Sequence, residues 1–371
     1  MVRSQDLLIA LTLDPRLGRA ALSRLAGELG AWKGGDVKTC AARIGVPASQ
    51  IARAREIERR AGQLAGEERR RAEEQQVRIV TRLDEDYPAA LLELPLPPAV
   101  FYLRGRPEAL EPRRALAIVG ARRMDAYGRE CARHFAFELA KEGVLIVSGF
   151  AIGIDSLAHD AALEAGGATL AVLGCGLDID YPAQSRARAA AIAEKGALIS
   201  EFPLGWQPRP FNFPIRNRLI AALADATLVI QAKLRSGSLI TAHHALDLGR
   251  DVFAVPGRIF DELAMGTNNL IADGAHPARC AKDILERLGI EAAAPRAETP
   301  ALPMEASSIT KAGKPNPLLS RLALHRDGML AEDLATELGQ SLDQVLGALL
   351  ELELEGRIER RPGPLYVART V

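Results

Sequence analysis

Arginine and glycine residues recur in short loops that directly follow apolar runs, a combination suited to binding phosphate. Gly120 follows the apolar run at 116–119, and Arg122 and Arg123 come next. Glycine lets the backbone approach a ligand closely, and guanidinium groups present paired donors that match phosphate oxygens. This segment therefore predicts an anion-binding loop.

Three further loops carry glycine, hydroxyl, carboxylate or arginine side chains in similar positions. Their candidate ligand-binding residues are Ser148, Gly149, Gly153 and Asp155 in the first, Gly174 and Arg186 in the second, and Arg216, Asn217 and Arg218 in the third. In the first loop, a carboxylate that caps a helix is an equally good interpretation. In the third, the arginines flank an expected helix start, where helix and guanidinium groups together would hold an anion.

A fifth segment, Ser236-Gly237-Ser238 through Thr241, enters a helix with small residues that expose successive backbone amides, as phosphate cradles do. It lacks the Gly-Lys-Ser/Thr ending of a nucleotide-hydrolysing loop and the GxGxxG spacing of a dinucleotide site. The segment therefore predicts binding without turnover. Further on, Asn268 either touches a base or caps a helix, and capping is the favoured interpretation.

Catalysis, metals and cofactors find little support in the sequence. The acid-base side chains near these loops are Asp155, His159, Glu201, His243 and His244, and the sequence gives no evidence that any two of them converge within hydrogen-bond reach. Cys40, Cys131, Cys175 and Cys280 are far apart and form no CxxC pair, which indicates reduced thiols and no metal site. We expect a non-enzyme without metal or cofactor.

Length and composition set broad limits on the protein. A chain of 371 residues favours two or three domains, and 47 basic residues balance 47 acidic ones, so that any basic site must be local. The apolar run at 7–13 is too short for a signal core, and no run reaches the roughly 18 residues of a membrane span. We expect a cytoplasmic protein that does not contact membranes.

The periodicity of apolar residues divides the chain into four parts. Residues 1–76 are helical, with one charged helix expected at 51–76 and a turn at 15–20 that loosely resembles a helix-hairpin-helix or SAM-like motif, although a simple reversal of direction is the favoured interpretation. Residues 77–290 alternate apolar strands with helices, which predicts a Rossmann-like, doubly wound α/β domain with a mostly parallel sheet. Residues 291–317 read as a linker, and 318–371 predict a winged-helix domain.

Within the α/β domain the expected elements have definite bounds. Strands are predicted at 77–81, 100–103, 116–119, 144–147, 169–173, 197–200, 226–230 and 251–255, and helices at 128–141, 156–165, 185–194, 216–224 and 239–248. In such a sheet, ligands bind beyond the carboxyl ends of the strands. The arginine- and glycine-bearing loops are all expected at that edge.

Taken in order, these loops resemble the DNA-processing protein A (DprA/Smf) family. The fragments that carry the resemblance are Val119-Gly120-Ala121-Arg122, Ser148-Gly149 with Gly153-Ile154-Asp155 and His159, Gly176-Leu177-Asp178 with Tyr181-Pro182, Ser200-Glu201-Phe202-Pro203, Phe213-Pro214 with Arg216-Asn217-Arg218, Ser236 to Ala242, Val255-Pro256-Gly257, and Gly266-Thr267-Asn268. The sequence departs from the family pattern at Ala121, where serine is usual, at Ile152, where arginine is usual, and at Gln231, where glutamate is usual.

The resemblance implies an extended Rossmann domain that forms homodimers and binds single-stranded DNA in a basic pocket during natural transformation. It further implies protection of incoming strands and loading of the RecA recombinase, without catalysis. Arg122 corresponds to the arginine of the family's Gly-Ser-Arg motif. For such a strand, Phe211, Phe213 and Tyr181 are candidate aromatic platforms for bases.

Two alternatives remain for the α/β domain: a sensor that binds a free nucleotide, and a phosphoribohydrolase-like enzyme, whose Pro-Gly-Gly-x-Gly-Thr-x-x-Glu signature is absent. For 318–371, six arginines against nine acids give a net charge of −3. A winged helix of this charge predicts contact with protein or self-packing instead of duplex DNA, with any DNA contact confined to Arg357, Arg360 and Arg361.

Overall fold

The structure, a computed structural model, describes residues 3–31, 39–40, 46–111, 114–290, 317–324, 328–354, 357–361 and 365–368. The chain divides into two compact units, Met1–Arg296 and Ala297–Val371. The expected linker at 291–317 lies outside the described residues except for Pro317, and so does the expected Pro-Gly turn of the winged helix at 362–363.

A mixed sheet forms the centre of the first unit, and among the described residues it has nine strands. In chain order they are β1 (Arg78–Thr81), β2 (Val100–Gly105), β3 (Ala115–Val119), β4 (Leu145–Ser148), β5 (Thr169–Leu173), β6 (Ala197–Ser200), β7 (Ala226–Val229), β8 (Asp251–Ala254) and β9 (His276–Pro277). All residues of β3 and β5 are buried, as expected for strands covered on both faces. The predicted Rossmann-like α/β fold is confirmed, and the eight strands expected from the sequence lie within two residues of their predicted bounds.

The order of the strands is β1-β2-β6-β5-β4-β3-β7-β8-β9. Across the sheet, the seven neighbouring strands β6-β5-β4-β3-β7-β8-β9 pair in parallel. Strands β1 and β2 extend the sheet as an antiparallel edge. After β6 the chain crosses back to place β7 beside β3. The loops after β3 and β7 therefore diverge and leave a crevice at the carboxyl edge, where ligands of this fold class bind.

Helices cover both faces of the sheet. They are α1 (Ser4–Thr12), α2 (Arg19–Ala31), α3 (Ala48–Glu58), α4 (Ala61–Glu74), α5 (Ala89–Leu92), α6 (Ala126–Lys141), α7 (Ile154–Glu164), α8 (Arg186–Lys195), α9 (Asn212–Ala222), α10 (Gly237–Asp247), α11 (Met265–Ala272) and α12 (Ala281–Arg287), with a 3-10 turn at Pro107–Leu110. Two predictions were wrong in detail. The charged helix expected at 51–76 is two helices, α3 and α4, because the backbone leaves the helical region at Arg60. The helix expected from residue 216 begins at Asn212, one turn earlier.

The N-terminal helices pack on the sheet and share its hydrophobic core. Leu8 and Ile9 of α1 are fully buried in one cluster with Tyr102 of β2 and Leu173 of β5. Polar contacts reinforce this packing, since the Glu68 carboxylate accepts a hydrogen bond from the Leu204 amide at 3.2 Å. The domain boundary predicted between residues 76 and 77 marks a change in composition. The segments before and after it lie in one compact unit.

In the turn at 15–20, two arginines lie near carboxylate groups. Arg16 lies 3.2 Å from Asp14, and an Arg19 guanidinium nitrogen lies 3.9 Å from a Glu201 carboxylate oxygen. Arg16 is thus paired with an acid of its own turn, whereas Arg19 lies near Glu201 without a hydrogen bond from its buried Nη1 to the described residues. The contacts favour a simple reversal of direction over a phosphate-binding motif.

The second unit has the expected winged-helix elements. These are α13 (Pro317–Leu324), β10 (Met329–Leu330), α14 (Ala331–Leu338), α15 (Leu342–Leu354), β11 (Ile358–Arg361) and β12 (Leu365–Ala368), with the sheet order β10-β12-β11. On α15, Leu342, Leu346 and Leu350 are exposed at intervals of one turn, a face unlike the basic face that reads duplex DNA. The predicted role in protein contact stays a prediction. Over the described parts of both units, no helix combines the length and apolarity that a bilayer crossing needs.

Candidate phosphate-binding cleft

A cleft of about 640 Å³ opens at the carboxyl edge of the sheet, beside the ends of β3 and β7. Of the residues predicted as a binding site, those that line it are Gly120, Arg122, Asp155, Arg216, Asn217, Ser236, Gly237, Ser238 and Thr241. They come from four loops that are far apart in sequence. The crossover between β6 and β7 brings them to one place.

Close backbone contact fixes the loop that carries Arg122. Gly153 has φ of +93°, and a β carbon there would lie 2.4 Å from the Ala121 carbonyl oxygen. The Ile154 amide donates to the same oxygen at 3.2 Å. Gly120 is equally crowded, since its β carbon would lie 2.7 Å from Ile154 Cγ1. These glycines are needed for the contact, and the contact sets the position of Arg122.

Aromatic rings form one wall of the cleft beside Arg122. The Arg122 guanidinium carbon lies 5.1 Å from the centroid of the Phe213 ring, within the range of a cation–π contact. The Tyr181 ring centroid lies 5.5 Å from that of Phe213. The cleft thus combines an exposed cation with aromatic surface, the two features that hold the backbone and bases of a single strand.

The N-terminus of α10 also lines the cleft. Ser236 caps this helix, and its hydroxyl accepts from the Ser238 amide at 3.3 Å and contacts the Ser238 hydroxyl at 2.7 Å. Asn217 on α9 donates to the Gly237 carbonyl oxygen at 3.1 Å and so ties the two helices together. The partial positive charge of a helix N-terminus favours anions, as the sequence predicted for this segment.

Two oppositely charged residues of the cleft lining, Arg216 and Asp155, are buried. Arg216 is 3% exposed and Asp155 is 7% exposed. Burial raises the pKa of Asp155 to about 6, although the attraction of Arg216 opposes this change. Burial likewise lowers the pKa of Arg216 to about 10. The Arg216 guanidinium donates to the backbone carbonyls of Gly149 and Val172 and, at 3.2 Å, to Asn217 Oδ1. These bonds commit its donors mainly to the protein.

Other predicted site residues lie beside or beneath the cleft. Ser148 is buried and donates to the Ile118 carbonyl oxygen at 2.6 Å. Gly149 lies against the Arg216 and Asp155 side chains, and Gly174 lies against the Phe213 ring. These three positions support the cleft, and a direct contact with ligand stays a prediction.

The remaining predicted site residues are outside the cleft lining. Arg123 is exposed, and Arg186 lies 3.3 Å from Asp180. Arg218 donates to both carboxylate oxygens of Glu201, at 2.7 and 2.5 Å. Asn268 donates to the Gly257 carbonyl oxygen and accepts from the Gly257 amide, both at 3.1 Å, and so stabilises a loop. Their binding roles stay predictions that this geometry does not support.

The loop between β6 and α9 supplies lining residues that sequence reasoning missed. Pro208 and Pro210 of this loop line the cleft, together with Ala151 and with Pro214 and Ile220 of α9. The prolines just before α9 and in its first turn were the available signal, because proline stiffens a loop and is tolerated in the first turn of a helix.

The acid-base residues do not converge in the cleft. His159 is fully buried, its Nδ1 lies 2.7 Å from the Thr169 hydroxyl, and burial lowers its pKa to about 3. Glu201 is bound to Arg218. Of the five candidates named from the sequence, only Asp155 lines the cleft.

One departure from the family pattern has a structural explanation. Gln231 is buried, and its amide donates to Asp125 Oδ1 at 2.8 Å, while Asp125 caps the N-terminus of α6. Ile152, another of the three departures, is 55% exposed. Gln231 therefore serves the packing of α6 and is not itself part of the cleft lining.

Comparison of the sequence with known families identifies both units. Residues 78–289 match the family model described as DNA recombination-mediator protein A, and residues 302–364 match the model of the DprA winged helix domain. Protein Smf of Escherichia coli is 40% identical over 283 residues, which are 75% of this chain and 74% of that protein. DNA processing protein DprA of Bacillus subtilis is 40% identical over 215 residues, 58% of this chain and 72% of that protein.

Solved structures agree with this identification. DNA processing protein A of Streptococcus pneumoniae aligns with a TM-score of 0.67 at 32% identity, over 77% of this chain and 98% of that one. The protein of the same name from Helicobacter pylori, whose structure describes a single-stranded DNA binding mode, aligns with a TM-score of 0.53 at 33% identity, over 57% of this chain and 95% of that one. The chain belongs to the DprA/Smf family of DNA processing proteins.

Proposed function

We propose that this protein binds single-stranded DNA in the cleft during natural transformation, without catalysing a reaction on it. The observation that carries the proposal is that Arg122 and the N-terminus of α10 line one cleft. A flexible phosphodiester chain fits such a site, since a guanidinium and backbone amides grip phosphate oxygens without reading sequence. The single-stranded DNA binding of the Helicobacter pylori relative supports this ligand.

Family membership supports the finer parts of the proposal. We infer that the protein forms a homodimer through its Rossmann-like domain, protects incoming strands in the cytoplasm and helps load the RecA recombinase on them. The cleft supplies a reason for protection, because nucleotides held against protein are shielded from nucleases. The leucine face of α15 is a candidate contact surface for a protein partner.

Fluorescence anisotropy of a labelled single-stranded oligonucleotide tests the cleft directly. Arg122→Ala is expected to weaken binding about 10- to 150-fold, the loss of one charge-assisted hydrogen bond. The slope of log affinity against log salt is expected to become shallower by about 0.7, as for one phosphate contact on a single strand. Arg133→Ala is the matched control, because Arg133 is an exposed arginine that pairs with Glu164 and lies outside the cleft lining.

Competitors separate this function from the alternatives. Duplex DNA and a mononucleotide should compete poorly, since neither offers a flexible strand to the whole cleft. Strong competition by the mononucleotide would favour a nucleotide sensor, and its hydrolysis would favour an enzyme. Equal affinity of wild type and Arg122→Ala would exclude the cleft as the binding site.

A further inference from the structure

We propose that Arg209 and Phe211 form a second nucleotide station at the mouth of the cleft, where the strand leaves it and one base stacks on Phe211. This inference rests on the proposed binding of single strands and adds the path that the strand takes. Arg209 and Phe211 belong to the loop between β6 and α9, whose residues Pro208 and Pro210 line the cleft.

The Phe211 ring is presented to solvent next to a cation. Phe211 is 56% exposed, and the Arg209 guanidinium carbon lies 6.0 Å from its ring centroid. An exposed aromatic ring with an arginine beside it is suited to a nucleotide, since the ring stacks on a base of any sequence and the guanidinium meets a phosphate. The pair repeats, outside the cleft, the combination of Arg122 and Phe213 within it.

The station is held firmly in place although its ring is exposed. Asn212, the next residue, is fully buried, and its side-chain amide donates to the carbonyl oxygens of Gly174 at 2.9 Å and Gln207 at 3.3 Å. Its backbone amide donates to the Arg209 carbonyl oxygen at 2.9 Å, which closes a turn around Phe211. A strand that binds there would therefore order little of the protein, which favours affinity.

Phe260 provides a comparison within the same unit. Its side chain is 90% exposed, but it lies on the loop after β8, which does not contribute to the cleft lining. Exposure alone therefore does not distinguish Phe211. Its distinguishing feature is continuity with the cleft wall through Pro210.

The test measures affinity of the full chain for oligothymidylates of increasing length, with Phe211→Ala and with Phe260→Ala as the matched control. Oligomers short enough to fill only the cleft should bind wild type and Phe211→Ala equally. Longer oligomers should bind Phe211→Ala about 5- to 150-fold more weakly, the range for loss of one stacked base. Phe211→Tyr should keep the wild-type affinity for long oligomers, whereas Phe211→Leu, which lacks a π face, should not. Phe260→Ala should bind every length as wild type does.

The outcomes separate this inference from the proposed function. If Arg122→Ala loses binding while Phe211→Ala matches Phe260→Ala at every length, the cleft stands and the second station is wrong. If Phe211→Ala weakens the shortest oligomers as strongly as long ones, Phe211 does not act outside the cleft. If Phe211→Ala keeps full affinity but changes the oligomeric state in sedimentation, the ring contacts protein and the inference fails.

Discussion

The two buried charged residues of the cleft lining make a quantitative prediction about stability. Arg216→Met is expected to reduce the free energy of unfolding of the first unit by about 3–5 kcal/mol, because the substitution leaves the buried Asp155 carboxylate without a nearby cation and removes a donor from buried acceptors. The structure shows the source of this loss. The carbonyl oxygens of Gly149 and Val172 and Asn217 Oδ1 all lose their donor, and Asp155 keeps a buried charge without the opposing cation.

The pH dependence of this loss follows from Asp155. Its pKa in the folded protein is about 6, above the ordinary value of 3.8, so the folded state holds its proton more tightly than the unfolded chain does. Stability from this group is therefore complete at low pH and declines as pH rises towards 6. Without Arg216 the pKa of Asp155 rises further. The loss caused by Arg216→Met should then be smaller at about pH 5 than at about pH 8.

Urea unfolding followed by circular dichroism, at both pH values, measures these differences. Adding Asp155→Asn to Arg216→Met should recover part of the lost stability, with a coupling free energy of about 0.5–3 kcal/mol in the double-mutant cycle. Equal losses at the two pH values, together with additive effects of the two substitutions, would refute the coupling of Asp155 to Arg216.

Three further predictions concern the cleft and its surroundings. Oligonucleotide affinity should rise as pH falls through about 6, because protonation of Asp155 removes a negative charge from the cleft. Anisotropy titrations of Asp155→Asn should not show this rise. An identical pH profile in both proteins would contradict the assignment to Asp155. Gly153→Ala should lower the free energy of unfolding in urea by about 1–3 kcal/mol and also weaken oligonucleotide binding, since the new β carbon would lie 2.7 Å from Arg122 Cα. Unchanged oligonucleotide affinity would show that the loop adapts. Arg218→Ala should lower the free energy of unfolding by about 1.5–3 kcal/mol through loss of its hydrogen bonds to Glu201, and it should leave oligonucleotide affinity unchanged. A loss of affinity without a loss of stability would instead place Arg218 on the path of the strand.

The sheet was predictable because its strands are short apolar runs bounded by turns. The bounds of β5 and β6 agree with prediction to the residue. The last strand of the first unit, β9 (His276–Pro277), was not predicted, since two residues carry no periodicity. The break between α3 and α4 was missed for a related reason: Arg59 and Arg60 give no glycine or proline signal there.

The cleft was predictable as a set of loops but not in the orientation of each side chain. Arg216 and Arg218 look alike in sequence, as two arginines beside one asparagine at a helix start. Both lie within α9, two positions apart, so their side chains project about 200° apart around the helix. Arg216 is buried, while Arg218 donates to Glu201. The predicted start at residue 216 places both arginines in one first turn and does not show which of them is buried. Only the packing of α9 on its neighbours determines this.

The shared core of the N-terminal helices and the sheet has a consequence for truncation. A fragment starting near residue 77 would retain every cleft loop, yet it would expose the faces of Tyr102, Leu173 and Leu198 that α1 and its neighbours cover. Apolar surface uncovered in this way favours aggregation. Loss of DNA binding by such a fragment would therefore report damage to its solubility, and would not show that the first helices touch the strand.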